Sequence, residues 1–300
     1  MSLKKLSELK KLLDNKPVKR LVLAAAHDLH SLGAVIRAAD DGIIQPVLIG
    51  DEKEIRKIAS EKNYNIKGLE IIHETVIEKT SEMAVRMVNK RKADVLMKGK
   101  VGTSVLLKHV LNKQWGLRTG NLFSHFALFE VETYHKLIAV TDVAMNIAPN
   151  LKEKISILNN AVSCLNMLGI EMPKVAVLGA VEMVNESMQA TTDAALLSKM
   201  NQRDQIKNCI IDGPLAFDNA ISLDSAKHKG IKSEVAGDTD LLLMPDIEVG
   251  NVLYKSMVFF ARAKVASMIL GAAAPIVLTS RSDSEQAKYD SILMAAATAK

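Results

Sequence analysis

Apolar residues in this chain fall into short dense runs, separated by longer stretches in which they recur every three or four positions. The runs at 20–25, 45–49, 69–72, 94–97, 127–131, 137–140, 174–178, 208–211, 241–244 and 276–278 are nearly continuously apolar, as strands covered on both faces are. Helical spacing marks 28–41, 51–62, 80–90, 151–168, 191–200 and 249–272, and a further helical pattern follows 98–104. This alternation predicts an α/β fold with a largely parallel sheet. No low-complexity linker and no internal repeat interrupts it. The best domain boundary is TDVAMNIAPN at 141–150, which follows two successive strands, contains Pro149 and precedes a long helix.

Composition narrows the function more than the fold. At 300 residues the chain can bury a large core and is expected to form two domains. With 48% apolar and 24% charged residues it is not a disordered chain. The net charge of +5 is spread along the sequence, which suits an anionic ligand and not a nucleic-acid-binding tail. Aromatics at 4% leave little for stacking on single strands. Cys164 and Cys209 belong to no CxxC or Cys/His cluster, which points to a reducing compartment and away from structural zinc. The first twenty residues carry charges throughout, and the greasiest segment, 267–278, is too short to span a bilayer. A cytoplasmic protein with no membrane partner is expected.

In open α/β sheets ligands gather at the carboxyl ends of strands, so the residues after each strand carry the chemistry. After 94–97 comes Lys98-Gly99-Lys100-Val101-Gly102-Thr103-Ser104. It is not a Walker A loop, yet glycines, two lysines and a helix start that Thr103 or Ser104 could cap make a credible anion site. A capped turn with solvated lysines is the alternative. After 276–278 comes Thr279-Ser280-Arg281-Ser282-Asp283-Ser284-Glu285, in which Ser282 and Glu285 have capping-box spacing and predict a helix starting there. Arg281 would then sit at a helix N-terminus, where only a negative partner makes it favourable. That partner is either Asp283 or a bound phosphate gripped by the guanidinium. In PDIEVGNVLYK the predicted cap is Asn251 after Gly250, and Asp246, Asn251, Tyr254 and Lys255 cluster beyond what turns and caps require. The seven histidines form no metal-ligand spacing, and no GxSxG elbow is present. Of the histidines, only His27 lies at a strand end.

Taken together and in order, AGDTDLLLMPDIEVGNVLYK, DGPLAFDNA and LTSRSDS resemble the phosphotransacylase family of phosphate acetyl- and butyryltransferases. LVLAAAHDLHSLGAVIRAADDGIIQPVLIGD and MKGKVGTSVLLKHVLNKQWGLRTGNLFSH are more similar to the butyryl branch, and the likeness spans roughly 21–297. The resemblance implies a two-domain isocitrate/isopropylmalate dehydrogenase-like fold with an active-site cleft between domains. Residues 1–142 plus 275–300 would form one domain and 143–274 the other. It also implies a homodimer, acyl-CoA and inorganic phosphate as substrates, coenzyme A as co-substrate with no tightly bound cofactor, and no metal. Ser280 and Arg281 carry over as the central pair, with Arg281 on phosphate. Gly250, Asn251, Tyr254 and Lys255 carry over as cleft lining. Acetyl-transferring relatives place an aspartate six residues after that arginine, where this chain has Ala287. Asp283 is the nearer carboxylate, or the base lies elsewhere.

The implied chemistry fits the loops. Phosphate is itself the nucleophile, so the protein must position two repelling anions and stabilise an oxyanion. Lys98, Gly99, Lys100, Gly102, Thr103, Ser104 and Arg118 are expected to bind the anions, with Asp246 beside the helix start of the second lobe. Two other readings stand beside this one. One is a metal-dependent dehydrogenase on the same fold, using some of Asp212, Asp218, Asp238, Asp240 and Asp246, although no GxGxxG follows a strand. The other is a non-catalytic acyl-CoA or nucleotide-binding protein.

Overall fold

The computed structural model describes residues 3–280 and 283–299, so Arg281 and Ser282 lie outside the described residues. Strands and helices alternate as the apolar pattern predicts. After a 3-10 helix at Leu6–Leu13 come β1 (Lys19–Ala24), α1 (Leu29–Asp40), β2 (Ile44–Gly50), α2 (Glu52–Lys62), β3 (Glu70–His73), α3 (Ile77–Asn89), β4 (Val95–Lys98) and α4 (Thr103–Val110). β5 (Ser124–Glu130) and β6 (Ile138–Thr141) follow without an intervening helix. Then come α5 (Leu151–Met167), β7 (Lys174–Leu178), α6 (Gln189–Gln202), β8 (Ile210–Leu215), α7 (Phe217–Ile221), α8 (Leu223–His228) and β9 (Leu241–Leu243). The chain closes with α9 (Ile247–Phe259), β10 (Lys264–Leu270), β11 (Ile276–Val277) and α10 (Glu285–Thr298).

The chain folds into two compact units. A terminal unit comprises Ser7–Asn121 with Ala266–Lys300, and a central unit comprises Met1–Leu6 with Leu122–Val265. These limits differ from the sequence-based division at 142/143 and 274/275. The reason is strand pairing: β5 pairs antiparallel with β6, and β6 pairs parallel with β9, so both early strands belong with the central sheet.

In the terminal unit the strand order is β3-β2-β1-β4-β11-β10, parallel except for the β10–β11 pair. The chain moves outward from β1 through β2 to β3, then returns to place β4 on the other side of β1. The order reverses between β1 and β4, and the carboxyl ends of strands at such a reversal are the usual ligand position in these sheets. Helix α10 is buried continuously from Lys288 to Thr298 and packs on α1. An apolar run such as SILMAAA is what a helix covered all round requires. In the central unit the order is β5-β6-β9-β7-β8, parallel apart from β5. Its helix α5 starts on a capping box: the Asn150 side chain accepts from the Glu153 amide at 3.1 Å, and Glu153 accepts from the Asn150 amide at 2.9 Å.

Three sequence expectations are corrected. The helix expected over 249–272 ends at Phe259, and KVASMIL forms strand β10. The apolar positions there fit both periods, and the break is local, with Arg262 at φ +50°. The strand expected to end at 211 continues through Asp212-Gly213-Pro214 to Leu215. β8 is the outer strand of the central unit's order, where a proline is tolerated. Helix α10 begins at Glu285 behind Ser284, whose hydroxyl accepts from the Ala287 amide at 3.2 Å, two residues later than the capping-box spacing of Ser282 suggests.

Candidate functional site

The candidate site of the terminal unit is built from three strand exits, those of β1, β4 and β11. Asp28, after β1, caps α1 by accepting from the Ser31 amide at 2.8 Å. Burial by itself raises the pKa of this carboxyl, but the Ser31 hydrogen bonds and the Lys288 charge outweigh that and hold it below its ordinary range. At the β4 exit, the Gly99 and Lys100 amides donate to the Ala24 and Ala25 carbonyls at 2.8 and 2.9 Å. A Cβ on Gly99 would lie 2.3 Å from the Ala25 oxygen, which explains the glycine. The same bonds correct part of the sequence reading, because these two amides are spent on β1 and are not offered to an anion. Helix α4 is capped by Gly102 without a side-chain bond, so neither Thr103 nor Ser104 is the cap. Both lie exposed in its first turn, where amides lack intrahelical acceptors.

The two lysines of this loop behave differently. Lys98 is buried, and its Nζ donates to the Gly99 and Val101 carbonyls at 3.4 Å each. Lys100 is exposed, and burial together with its charge lowers the affinity of His27 for a proton. The His27 Nδ1 is itself buried without a partner.

β11 lies beside β4, in parallel register through Val277 and Met97, so the chain leaves both strands at the same edge of the sheet. There the Ser280 amide donates to Asp283 Oδ2 at 2.7 Å. Burial pushes the Asp283 carboxyl above its ordinary value, although that hydrogen bond, Lys288 and Lys98 all pull the other way. Lys288, on the first turns of α10, is 2% exposed and donates to Thr279 Oγ1 at 3.1 Å and to the Ser280 carbonyl at 2.9 Å. The terminal unit thus brings together Lys98, Gly99, Lys100, Gly102, Thr103, Ser104, Ser280 and Asp283. Arg118 stands apart: its backbone bridges Ala272 at the amino end of β11, the opposite edge of the sheet.

In the central unit, the second predicted group assembles at the β6 exit. The buried Asp142 carboxylate accepts from the amides of His125, Ala144, Met145 and Asn146 at 2.9 to 3.2 Å, and from the Asn146 side chain. Helix α9 rests on this turn. A Cβ on Gly250 would lie 2.3 Å from the Asp142 carbonyl oxygen, and Asn251 Nδ2 reaches the Val143 carbonyl at 3.2 Å. The cap is Asp246, which accepts from the Val249 amide at 2.9 Å, not Asn251 as the sequence predicted. Tyr254 stacks edge-on against His125 and Phe129 with centroids 5.9 and 5.4 Å apart, while Lys255 is exposed. Burial lowers the His125 pKa to about 4, so this imidazole is neutral at working pH.

Sequence reasoning passed over Lys288, Asp28, Asp142 and His125. Lys288 had a readable signal, a lysine just ahead of the apolar run ILMAAA on the same helical pattern. Asp142 had none, since its role depends on amides arriving from β5 and its own loop. Of the carboxylates weighed for a divalent ion, Asp238 and Asp240 lie at the amino ends of the central strands. Lys136 holds both at 2.9 and 2.7 Å, and Lys174 holds Asp238 at 2.7 Å. Among the described residues no three His, Cys, Asp or Glu side chains converge as a cation site.

The chain as a whole is similar to known proteins in sequence and in fold. A family profile described as "Phosphate acetyl/butaryl transferase" matches residues 2–83 and 71–296. The phosphate butyryltransferase of Clostridium acetobutylicum is 47% identical over 285 residues, covering 95% of each chain. The phosphate acetyltransferase of Thermotoga maritima is 46% identical over 278 residues, covering 93% of this chain and 94% of that one. Among solved structures, a branched-chain phosphotransacylase from Enterococcus faecalis superimposes with a TM-score of 0.81 at 31% identity, covering 94% of this chain and 99% of that one. A 4-hydroxythreonine-4-phosphate dehydrogenase from Burkholderia phymatum shares the fold alone, with a TM-score of 0.54 at 12% identity over 95% and 99% of the two chains.

Proposed function

The chain belongs to the phosphate acetyl- and butyryltransferase family, and on that premise we propose how its residues divide the work of the reaction. The protein is a phosphate acyltransferase that transfers acyl groups between coenzyme A and inorganic phosphate. A phosphate oxygen attacks the thioester carbonyl, the C–O bond forms as the C–S bond breaks, and the sulfur leaves as thiolate and takes up a proton. Acyl phosphate and coenzyme A are the products, and the reverse reaction regenerates the thioester.

The observation that supports the site assignment is that β4, followed by the 98–104 loop, and β11, followed by Thr279 and Ser280, are neighbouring parallel strands beside the sheet's reversal point. Arg281 grips the phosphate, and Ser280, its neighbour in sequence, donates to it. Asp283 acts as the acid–base group: it takes the thiol proton when coenzyme A is the nucleophile and returns it in the forward direction. Its burial supports that role, since a carboxyl raised toward neutrality exchanges protons more readily at working pH. Lys100 and the first turn of α4 attract the second anion, and Arg118 contributes only if substrate reaches the far edge. Gly250, Asn251, Tyr254 and Lys255 form a second group at the β6 exit of the central unit, with Asp246 fixing the start of their helix.

The acyl group is butyryl or a short branched chain, the enzyme works in the cytoplasm as a homodimer, and coenzyme A is a co-substrate in place of a bound cofactor. Relatives named for butyryl and for branched-chain substrates support that choice. The test is release of free thiol from butyryl-CoA. Release that requires phosphate and proceeds without added metal or nicotinamide cofactor supports the assignment. A chain that binds acyl-CoA yet releases no thiol with acetyl, butyryl or isobutyryl thioesters is a binding protein, and the assignment falls.

A further inference from the structure

We propose that Lys288 is the positioning residue of the β11 exit: its ammonium ties Thr279 and Ser280 to α10 and sets the electrostatic environment of Asp283. The proposal rests on the assignment of that exit to catalysis.

Three features single Lys288 out. It is buried on a helix whose following ten residues are also buried, where a lysine is costly unless its charge has partners. Its Nζ spends its hydrogens on the side chain of Thr279 and the carbonyl of Ser280, the two residues that lead from β11 into Arg281. Its charged neighbours are carboxylates from two other segments, Asp28 on the β1 exit and Asp283 on the β11 exit. Ser280 is therefore held from both sides: its carbonyl accepts from Lys288, and its amide donates to Asp283. A purely structural role would be met by a methionine of similar length, which needs no partners in an apolar helix. The lysine instead places a buried positive charge that interacts with two carboxylates, Asp28 and Asp283. The other charged groups facing this cluster are Lys98 from the β4 exit, acting on Asp283, and His30 from α1, acting on Asp28.

The consequence is directional. The ammonium favours the ionised form of Asp283, so removing it raises the pH at which that carboxyl gains its proton. Carboxyl-detected NMR titration, with Asp283→Asn identifying the signal, reads this without turnover. In Lys288→Met the Asp283 midpoint is expected to rise by about one pH unit, while Lys288→Arg stays within a few tenths. In the thiol-release assay Lys288→Met is expected to lose tenfold or more in kcat, with the KM for acyl-CoA changed less than twofold, and Lys288→Arg to recover most of the loss. An unmoved midpoint in a folded Lys288→Met protein overturns the inference, as does a moved midpoint with wild-type kcat. If Lys288→Met does not fold, Lys288→Gln serves the same comparison. A wild-type protein without transferase activity would overturn the catalytic assignment instead, and the titration would still decide whether Lys288 governs Asp283.

Discussion

At the scale of single residues, the account depends on charge held where water is scarce. Asp283 binds its proton more tightly in the native protein than in the unfolded chain. Its contribution to stability therefore declines as pH rises from the ordinary carboxylate range to its raised native value. Asp283→Asn removes that cost, so at neutral pH its melting temperature should equal or exceed the wild-type value while transferase activity falls at least a hundredfold. A melting curve beside a thiol-release assay checks both halves, and retained activity refutes the acid–base role. His125 makes a contrasting case. With a pKa of about 4 it stays neutral above pH 6, so no limb of the pH–rate profile should disappear in His125→Asn. The thiols are also silent. Burial pushes Cys209 up to about 11 and raises Cys164 as well, so alkylating reagents should react slowly with native protein and rapidly after unfolding. Fast native labelling would contradict the burial of both.

At the scale of elements, close approach decides which substitutions matter. Gly250 lets α9 rest on the Asp142 turn, and Gly250→Ala would bring a carbon within 2.3 Å of the Asp142 oxygen. The expected cost is about 1–3 kcal/mol in denaturant unfolding. A neutral substitution would mean the helix does not seat on that turn. Ser284→Ala should cost about 1 kcal/mol by releasing the α10 cap. Most elements were legible from sequence because their apolar periods are unambiguous. The exceptions are instructive. Stretch 249–272 has apolar residues spaced for either period, so only tertiary pairing distinguishes α9 from β10. The caps at Gly102, Asp246 and Ser284 were each displaced by one or more residues from the expected polar side chain, because several neighbouring hydroxyl or amide residues compete for the same role.

At the scale of the whole molecule, parallel strands and their reversal explain where chemistry collects. The loops after β4 and β11 could be named from sequence because glycine, lysine and hydroxyl residues follow an apolar run. Their neighbourhood could not, because the 177 positions between Lys98 and Ile276 hide the pairing of the two strands. Lys288 and Asp28 entered the site only through that pairing. Acyl preference belongs to this scale too, since a methylene changes discrimination by only about 1–3 kcal/mol. If the enzyme is tuned to four-carbon or branched chains, kcat/KM for butyryl- or isobutyryl-CoA should exceed that for acetyl-CoA about tenfold or more, and equal values would contradict the proposed choice.

Arg281 bears the central claim, that a guanidinium after β11 grips phosphate as it attacks the thioester. The most direct measurement is steady-state thiol release from butyryl-CoA by Arg281→Ala at saturating and limiting phosphate. The account predicts a loss of about a thousandfold in kcat/KM for phosphate, within the range of removing a charge-assisted contact at a transition state. Wild-type turnover by that variant would contradict it.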